Sequence, residues 1–366
     1  MISRILKWLM FLVGGILILL LVVVCVLWIK SPGTAQPLRD SSGEVIQGSI
    51  STIEKVTIGG VEQHVIIRGA NADNPVMLFI HGGPGSPELA FIKDLNPEIE
   101  NDFIMIHWEQ RGAGKSYSKD IPPETMTLEQ FIADTHEITE YLIERFDRKK
   151  IFIMGHSWGS LLGILTAHQY PDLYYAYFGI GQVAKQLEGE KISLEWVKEQ
   201  ARERNDEDAI KALSELRFPD LDSSDSTWLD YLLKQRMYVA KFGGSMRNIT
   251  GMWPMIKMLI NTKEYTLTEK LNYMKGSLFS LNHLWREVVN ADLLPRIDSM
   301  QVPVYIFQGV HDYQTPYSIA KDFYDRLKAP EKELFTFENS AHAPIVEEAD
   351  KFNSIVREKA RLVESR

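Results

Sequence analysis

Four consecutive apolar residues, Ile151-Phe152-Ile153-Met154, run straight into Gly155-His156-Ser157-Trp158-Gly159, and residues 160–168 continue as a largely apolar stretch. A short segment that is apolar at every position reads as a strand covered on both faces, the hallmark of a parallel sheet with helices above and below it. A serine between two glycines at this spacing, after such a strand and before a helix, sits on a sharp turn that lifts its hydroxyl above the sheet. The small residues are needed because neighbouring backbone closes in around the turn. The pattern predicts an α/β fold with Ser157 as a nucleophile.

Other segments repeat the theme. Val76-Met77-Leu78-Phe79-Ile80 and Phe103-Ile104-Met105-Ile106 are buried-strand runs, and residues 128–146 carry apolar side chains at helical spacing. Residues 53–58 and 63–67 flank Gly59-Gly60 as a β-hairpin. Residues 302–307 and 332–337 read as strands, residues 317–327 as a helix, with a last helix to the end. Strands alternating with helices imply a mostly parallel, doubly wound sheet. Between residues 182 and 292 no buried strand is evident, and Trp196, Trp228, Trp253 and Trp285 are scattered among mixed charges. That region is expected to be an all-helical cap inserted between core segments 49–181 and 293–366, with 31–48 as a polar linker.

A serine hydroxyl needs a base to take its proton and an acid to orient that base. On this scaffold they follow in the order acid, then histidine. Asp312 comes just after the strand at 302–307, and His342 after the strand at 332–337, so they are the expected orienting acid and general base. Backbone N–H groups fixed before reaction stabilise the oxyanion best. Trp158, which follows the serine, and Gly83 or Gly82 of His81-Gly82-Gly83-Pro84-Gly85 are the expected donors. No metal or cofactor is required by this chemistry, and the single cysteine, Cys25, rules out a thiolate-ligated metal cluster.

From Trp8 to Ile29 no residue is charged, and as a helix these 22 positions would span about 33 Å, enough for the hydrocarbon core of a bilayer. Trp8 and Trp28 mark its ends, where indole rings favour the interface. Residues 1–30 are expected to be a retained transmembrane anchor; the run is longer than the apolar core of a cleaved signal. Arg4, Lys7 and the terminal amine before the span outweigh Lys30 and Arg39 after it by a small margin, so the amino terminus is expected inside and the large domain outside the cytoplasm. The formal net charge is −9, and the first thirty residues are positive. The acidic body, without a basic stripe, argues against nucleic acid as a partner. The triplet Asn248-Ile249-Thr250 fits a glycosylation acceptor but carries no weight in the reading.

Together these residues resemble the proline iminopeptidase family of serine peptidases, which has the α/β-hydrolase fold. His81–Gly85 matches its His-Gly-Gly-Pro-Gly motif. Glu109-Gln110-Arg111-Gly112-Ala113-Gly114-Lys115-Ser116 matches its Asp-Gln-Arg-Gly-x-Gly-x-Ser segment, with Glu in place of Asp. Gly155–Gly159 matches its Gly-Gly-Ser-Trp-Gly elbow, with His156 for the second Gly. The resemblance implies an aminopeptidase releasing an amino-terminal residue from short peptides, with the free amine held by cap glutamates. Glu287, in Trp285-Arg286-Glu287, is the nearest candidate for that role, followed by Glu264 and Glu195. An esterase, lactonase or amidase acting on small molecules would use the same machinery, and a non-catalytic scaffold is the remaining alternative.

Overall fold

The computed structural model describes residues 2–249, 251 and 253–364, and the side chains from residue 6 onward. Thr250 of the Asn248 triplet lies outside these residues. Eight strands form one sheet in the order β1-β2-β4-β3-β5-β6-β7-β8. They are β1 (Ile50–Ile58), β2 (Val61–Gly69), β3 (Val76–Ile80), β4 (Ile104–Glu109), β5 (Ile151–His156), β6 (Tyr174–Ile180), β7 (Val304–Gly309) and β8 (Lys332–Phe337). The β1–β2 hairpin turns at Gly59-Gly60 and joins β4 antiparallel, while all other pairings are parallel.

The unbroken apolar runs have a direct cause. Along β5, Ile151 and Ile153 enter one core layer while Phe152 and Met154 enter the other; on β3, Leu78 and Ile80 oppose Met77 and Phe79 in the same way. Helices α3 (Leu128–Arg145) and α4 (Trp158–Gln169) cover the first layer through Phe131, Leu142 and Leu161. The second layer is covered by α2 (Leu89–Leu95) and α12 (Ala349–Glu364), through Ile92, Phe352 and Val356. Strand β6 did not announce itself in the sequence. Its Tyr-Tyr-Ala-Tyr-Phe-Gly-Ile run has ring hydroxyls that look half-exposed, yet the Tyr174 and Tyr177 hydroxyls are buried and bonded to Thr139, Ser160 and Gln182.

Between β6 and β7 the chain forms helices α5 (Gln186–Glu203), α6 (Glu207–Glu215), α7 (Asp225–Phe242), α8 (Trp253–Asn261) and α9 (Leu267–Val289). The remaining helices, α10 (Tyr317–Arg326) and α11 (Pro344–Glu347), flank β8. At the amino terminus lies α1 (Ile2–Ile29), whose segment Leu6–Ile29 is unburied. Its segment Leu6–Ile29 has a mean hydropathy of 3.3 and is long and apolar enough to cross a membrane.

Residues 31–48, expected as a polar linker, hydrogen-bond to the body. Pro32 bridges to Thr266, Thr34 N–H donates to the Lys263 carbonyl at 3.2 Å, and the Gln36 carbonyl accepts from Arg68 at 3.0 Å. Polar composition marked the absence of regular structure here, not the absence of contacts.

Candidate active site

The elbow at Ser157 is imposed by crowding. A side chain at Gly155 would place its Cβ 2.1 Å from the Gly159 carbonyl oxygen, and one at Gly159 would lie 2.0 Å from that of Ile80. Ser157 itself holds φ 54° and ψ −121°, an unfavourable backbone for a residue with a side chain. Its N–H is fixed by the Ile180 carbonyl at 2.9 Å. Strain held by surrounding structure at a turn of this kind is a feature of functional sites.

Asp312 and His342 meet across the loops that follow β7 and β8. His342 Nδ1 lies 2.8 Å from Asp312 Oδ2. The carboxylate also accepts from the Gln314 and Thr315 backbone N–H groups at 2.8 and 2.9 Å, from the Thr315 hydroxyl at 2.7 Å and from the Gln308 amide at 2.9 Å. An aspartate so held is an acceptor, which assigns the proton to Nδ1 of His342 and leaves the Nε2 lone pair available. Burial pushes the His342 pKa below its ordinary value, outweighing the pull of Asp312 towards the charged form. Ser157 and His342 border one cavity of about 860 Å³, although their side chains are not hydrogen-bonded to each other in this structure. Catalytic hydrogen bonds often close only once substrate is bound.

The expected N–H donors divide. Those of Trp158 and Gly83 have no acceptor among the described residues. That of Gly82 is taken: it donates to Glu88 Oε1 at 2.7 Å. Glu88 is the residue sequence reasoning missed here, and His156 is the reason it matters. His156 Nδ1 lies 2.8 and 2.9 Å from the two Glu88 oxygens, and its Nε2 lies 2.9 Å from the His342 carbonyl. Both partners can only accept, so both ring nitrogens must donate and the ring is an imidazolium. Burial opposes that charge, but Glu88 and the hydrogen bonds prevail and raise the His156 pKa. The Glu88 pKa is correspondingly lowered: burial would raise it, and His156 with the Gly82 N–H more than offsets this. Thus the glycine loop is tied to the His342 loop through Glu88 and His156. His81, by contrast, faces the Gly82 carbonyl and the Gln110 N–H, and burial brings its pKa down to about 4.

The Glu109–Ser116 segment supports these loops from behind. Gln110 bridges the His81 carbonyl at 3.0 Å and the Trp158 indole N–H at 2.9 Å, while Arg111 forms a fully buried pair with Asp134 at 2.9 Å. Glu109, where the resemblance would have Asp, accepts from the Tyr265 hydroxyl and so ties the core to the cap.

None of the three cap glutamates borders the cavity. Glu264 is buried against Lys93 and Arg68, Glu195 is exposed beside Lys198, and Glu287 is half-buried near Arg296. Trp285 does reach a smaller adjoining cavity of about 200 Å³. The cap residue facing both cavities with a charge is Arg236, whose guanidinium is paired with fully buried Glu190. No sequence signal singled out that pair, because Glu190 and Arg236 lie on separate helices. The larger cavity is otherwise mostly apolar, and its one carboxylate among the described residues, Glu88, is engaged by His156.

A family model described as the alpha/beta hydrolase fold matches residues 75–349. The chain is 33% identical to a probable aminopeptidase, YbaC, of Bacillus subtilis (strain 168), over 86% of this chain and 97% of that protein. It is 26% identical to a proline iminopeptidase of Lactobacillus crispatus (strain ST1), again over 86% and 97%. Among solved structures it superposes on a membrane phospholipase A with a TM-score of 0.60 at 14% identity, over 97% of this chain and 99% of that one. Sheet order, strand–turn–helix elbow and these matches agree: the chain belongs to the α/β-hydrolase fold family, and within it resembles the proline iminopeptidases.

Proposed function

We propose that the protein is a membrane-tethered serine hydrolase that cleaves amide or ester bonds through an acyl-enzyme. The observation carrying this reading is the Asp312–His342 pair, with its free Nε2, bordering the same cavity as Ser157. His342 removes the Ser157 proton as Oγ attacks the substrate carbonyl. The Gly83 and Trp158 N–H groups receive the oxyanion, and losing one such donor typically costs about 3–4 kcal/mol. The imidazolium then protonates the leaving group, and water, activated by the same histidine, releases the acid. Asp312 holds the tautomer throughout. A fluorophosphonate probe should label the wild-type protein at Ser157, as mapped by peptide mass, and leave Ser157→Ala unlabelled. An unlabelled wild type would sink the reading.

The pH profile follows from the two histidines. His342 must be neutral to act, and its lowered pKa puts the acid limb of kcat/KM below pH 6.5. His156 must stay charged to donate twice, and its raised pKa puts an alkaline limb above pH 6.5. His156→Gln should abolish the alkaline limb and keep the acid one. An alkaline limb that survives unchanged would show that His156 does not titrate with activity.

For the substrate, the aminopeptidase and proline iminopeptidase relatives support an aminopeptidase acting on short peptides. One observation favours the second reading, an esterase or amidase for apolar acyl groups: among the described residues the cavity offers no unengaged carboxylate to a substrate ammonium. Turnover of proline arylamides against acyl esters separates the two. For α1, length and apolarity support a retained span, with the hydrolase domain outside the cytoplasm.

A further inference from the structure

Helix α8, Trp-Pro-Met-Ile-Lys-Met-Leu-Ile-Asn, is apolar around nearly its whole circumference, yet none of its residues is buried. A helix of that composition is ordinarily enclosed by protein or by lipid. Its position indicates which. The end of α1 is clamped to the corner joining α8 and α9. Lys30 Nζ donates to Asn261 at 3.4 Å, Lys270 Nζ donates to the Ser31 hydroxyl at 3.0 Å and the Ile260 carbonyl at 2.7 Å, and Pro32 bridges to Thr266. At 1.5 Å per residue α8 runs only about 12 Å from Asn261, its end at this clamp, to Trp253. The outward side chains there are Trp253 and Ile256 on α8 and Leu271, Met274 and Leu278 along one face of α9. Lys257 and Lys263 are exposed at the same corner, as suits anionic headgroups.

The inner side of α8 bears on the reaction. Met255 and Met258 line the larger cavity together with Phe91 and Leu95 from α2 and Met237 from α7, and Ser157, His342, Glu88, His156, Arg236 and Lys241 supply polar groups to the same lining. Unbranched, polarisable methionines line surfaces that adapt to varied apolar ligands. The volume falls within the range of roughly 300–1,000 Å³ typical of ligand sites. Helix α8 therefore carries apolar side chains both towards this cavity and towards the exterior.

We propose that the substrate is a membrane-resident lipid, and that the methionine-lined cavity takes its long acyl chain while α8 lies in the bilayer interface. The inference rests on the serine hydrolase reading. Ser157 Oγ bonds to the acyl carbonyl carbon, the ester or amide bond breaks, and the proton taken by His342 goes to the leaving oxygen or nitrogen. Water then cleaves the acyl-enzyme, yielding the fatty acid.

The test uses the full chain reconstituted in vesicles of phosphatidylcholine with a minor fraction of phosphatidylglycerol. Hydrolysis of p-nitrophenyl esters is measured from butyryl to lauroyl, with fluorophosphonate labelling of Ser157 followed in the same preparation. Burial of the added methylenes should raise kcat/KM by ~10-fold or more across the series. Met258→Trp, which fills the cavity, should bring the lauroyl-to-butyryl ratio close to unity. Met237→Trp makes the same test from another helix should the first variant not accumulate. A flat series, or a ratio unmoved by the filling variant, with labelling intact, overturns the acyl-chain inference alone. Failure of labelling overturns the hydrolase reading and this inference with it.

Discussion

Replacing His342 with alanine should lower kcat by on the order of 10⁴–10⁶-fold and leave the fold in place, as read by circular dichroism and by the urea midpoint. The imidazole is buried at the end of a loop, and its Nδ1 bond to Asp312 sits within a carboxylate already held by four other donors. Removing it therefore leaves Asp312 satisfied, which is why stability should change little. Ser157→Ala should cost a similar factor. The double variant should be no slower than the worse single one within a few-fold, because a nucleophile without its base and a base without its nucleophile fail at the same step. Losses that multiply in the double variant would mean that the two residues act independently, and the proposed acyl-enzyme route would have to be abandoned.

The second large effect is expected at Glu88, which has no place in the proton transfers. Glu88→Ala removes the partner of a buried imidazolium and the acceptor of the Gly82 N–H at one stroke. Breaking a buried pair from one side costs about 3–5 kcal/mol. The glycine loop loses its tie as well, so the Gly83 donor should drift and kcat should fall by roughly 10²–10³-fold, as for loss of an oxyanion donor. Glu88→Ala combined with His156→Gly, which also removes the stranded charge, should be more stable than Glu88→Ala alone in urea titrations. A double variant no more stable than the single one would show that the ion pair is not what holds the loops. The pair also links stability to pH. His156 has a raised folded pKa, so its contribution is complete below about 6.5 and lost as pH rises through the raised value. Glu88 has a lowered one, so its contribution is complete above about 4.5 and lost as pH falls through the lowered value. The pair should therefore stabilise most between these limits.

What could be read from the sequence and what could not have physical causes. The central strands β3 and β5 were legible because both of their faces are covered, so every position had to be apolar. The elbow was legible because two glycines are demanded by backbone contacts of 2.0–2.1 Å. Strand β6 was hidden by tyrosines whose hydroxyls find partners only in the folded state. The contacts of residues 31–48 were not legible because they are with Arg68, Lys263 and Thr266, distant in sequence. The Gly82 donor illustrates the same limit. A glycine loop advertises an N–H, but whether that N–H is spoken for depended on Glu88, six residues away, and on the histidine at 156. That histidine, standing where the resembled family has glycine, was the one visible clue: a buried imidazole at an elbow must have partners. The glutamates Glu287, Glu264 and Glu195 were chosen by type and region alone, and nothing in their local sequence distinguished them from the other cap carboxylates.

The clamp between the end of α1 and the cap has a kinetic corollary. Pro32, Thr34 and Gln36 are bound to the body within a few residues of the apolar segment, so under the proposed membrane reading the body is held close to the surface without a long free tether. Under the proposed membrane reading, encounters are then two-dimensional: turnover should follow the mole fraction of substrate in the surface, and dilution of the vesicles at constant composition should leave it unchanged.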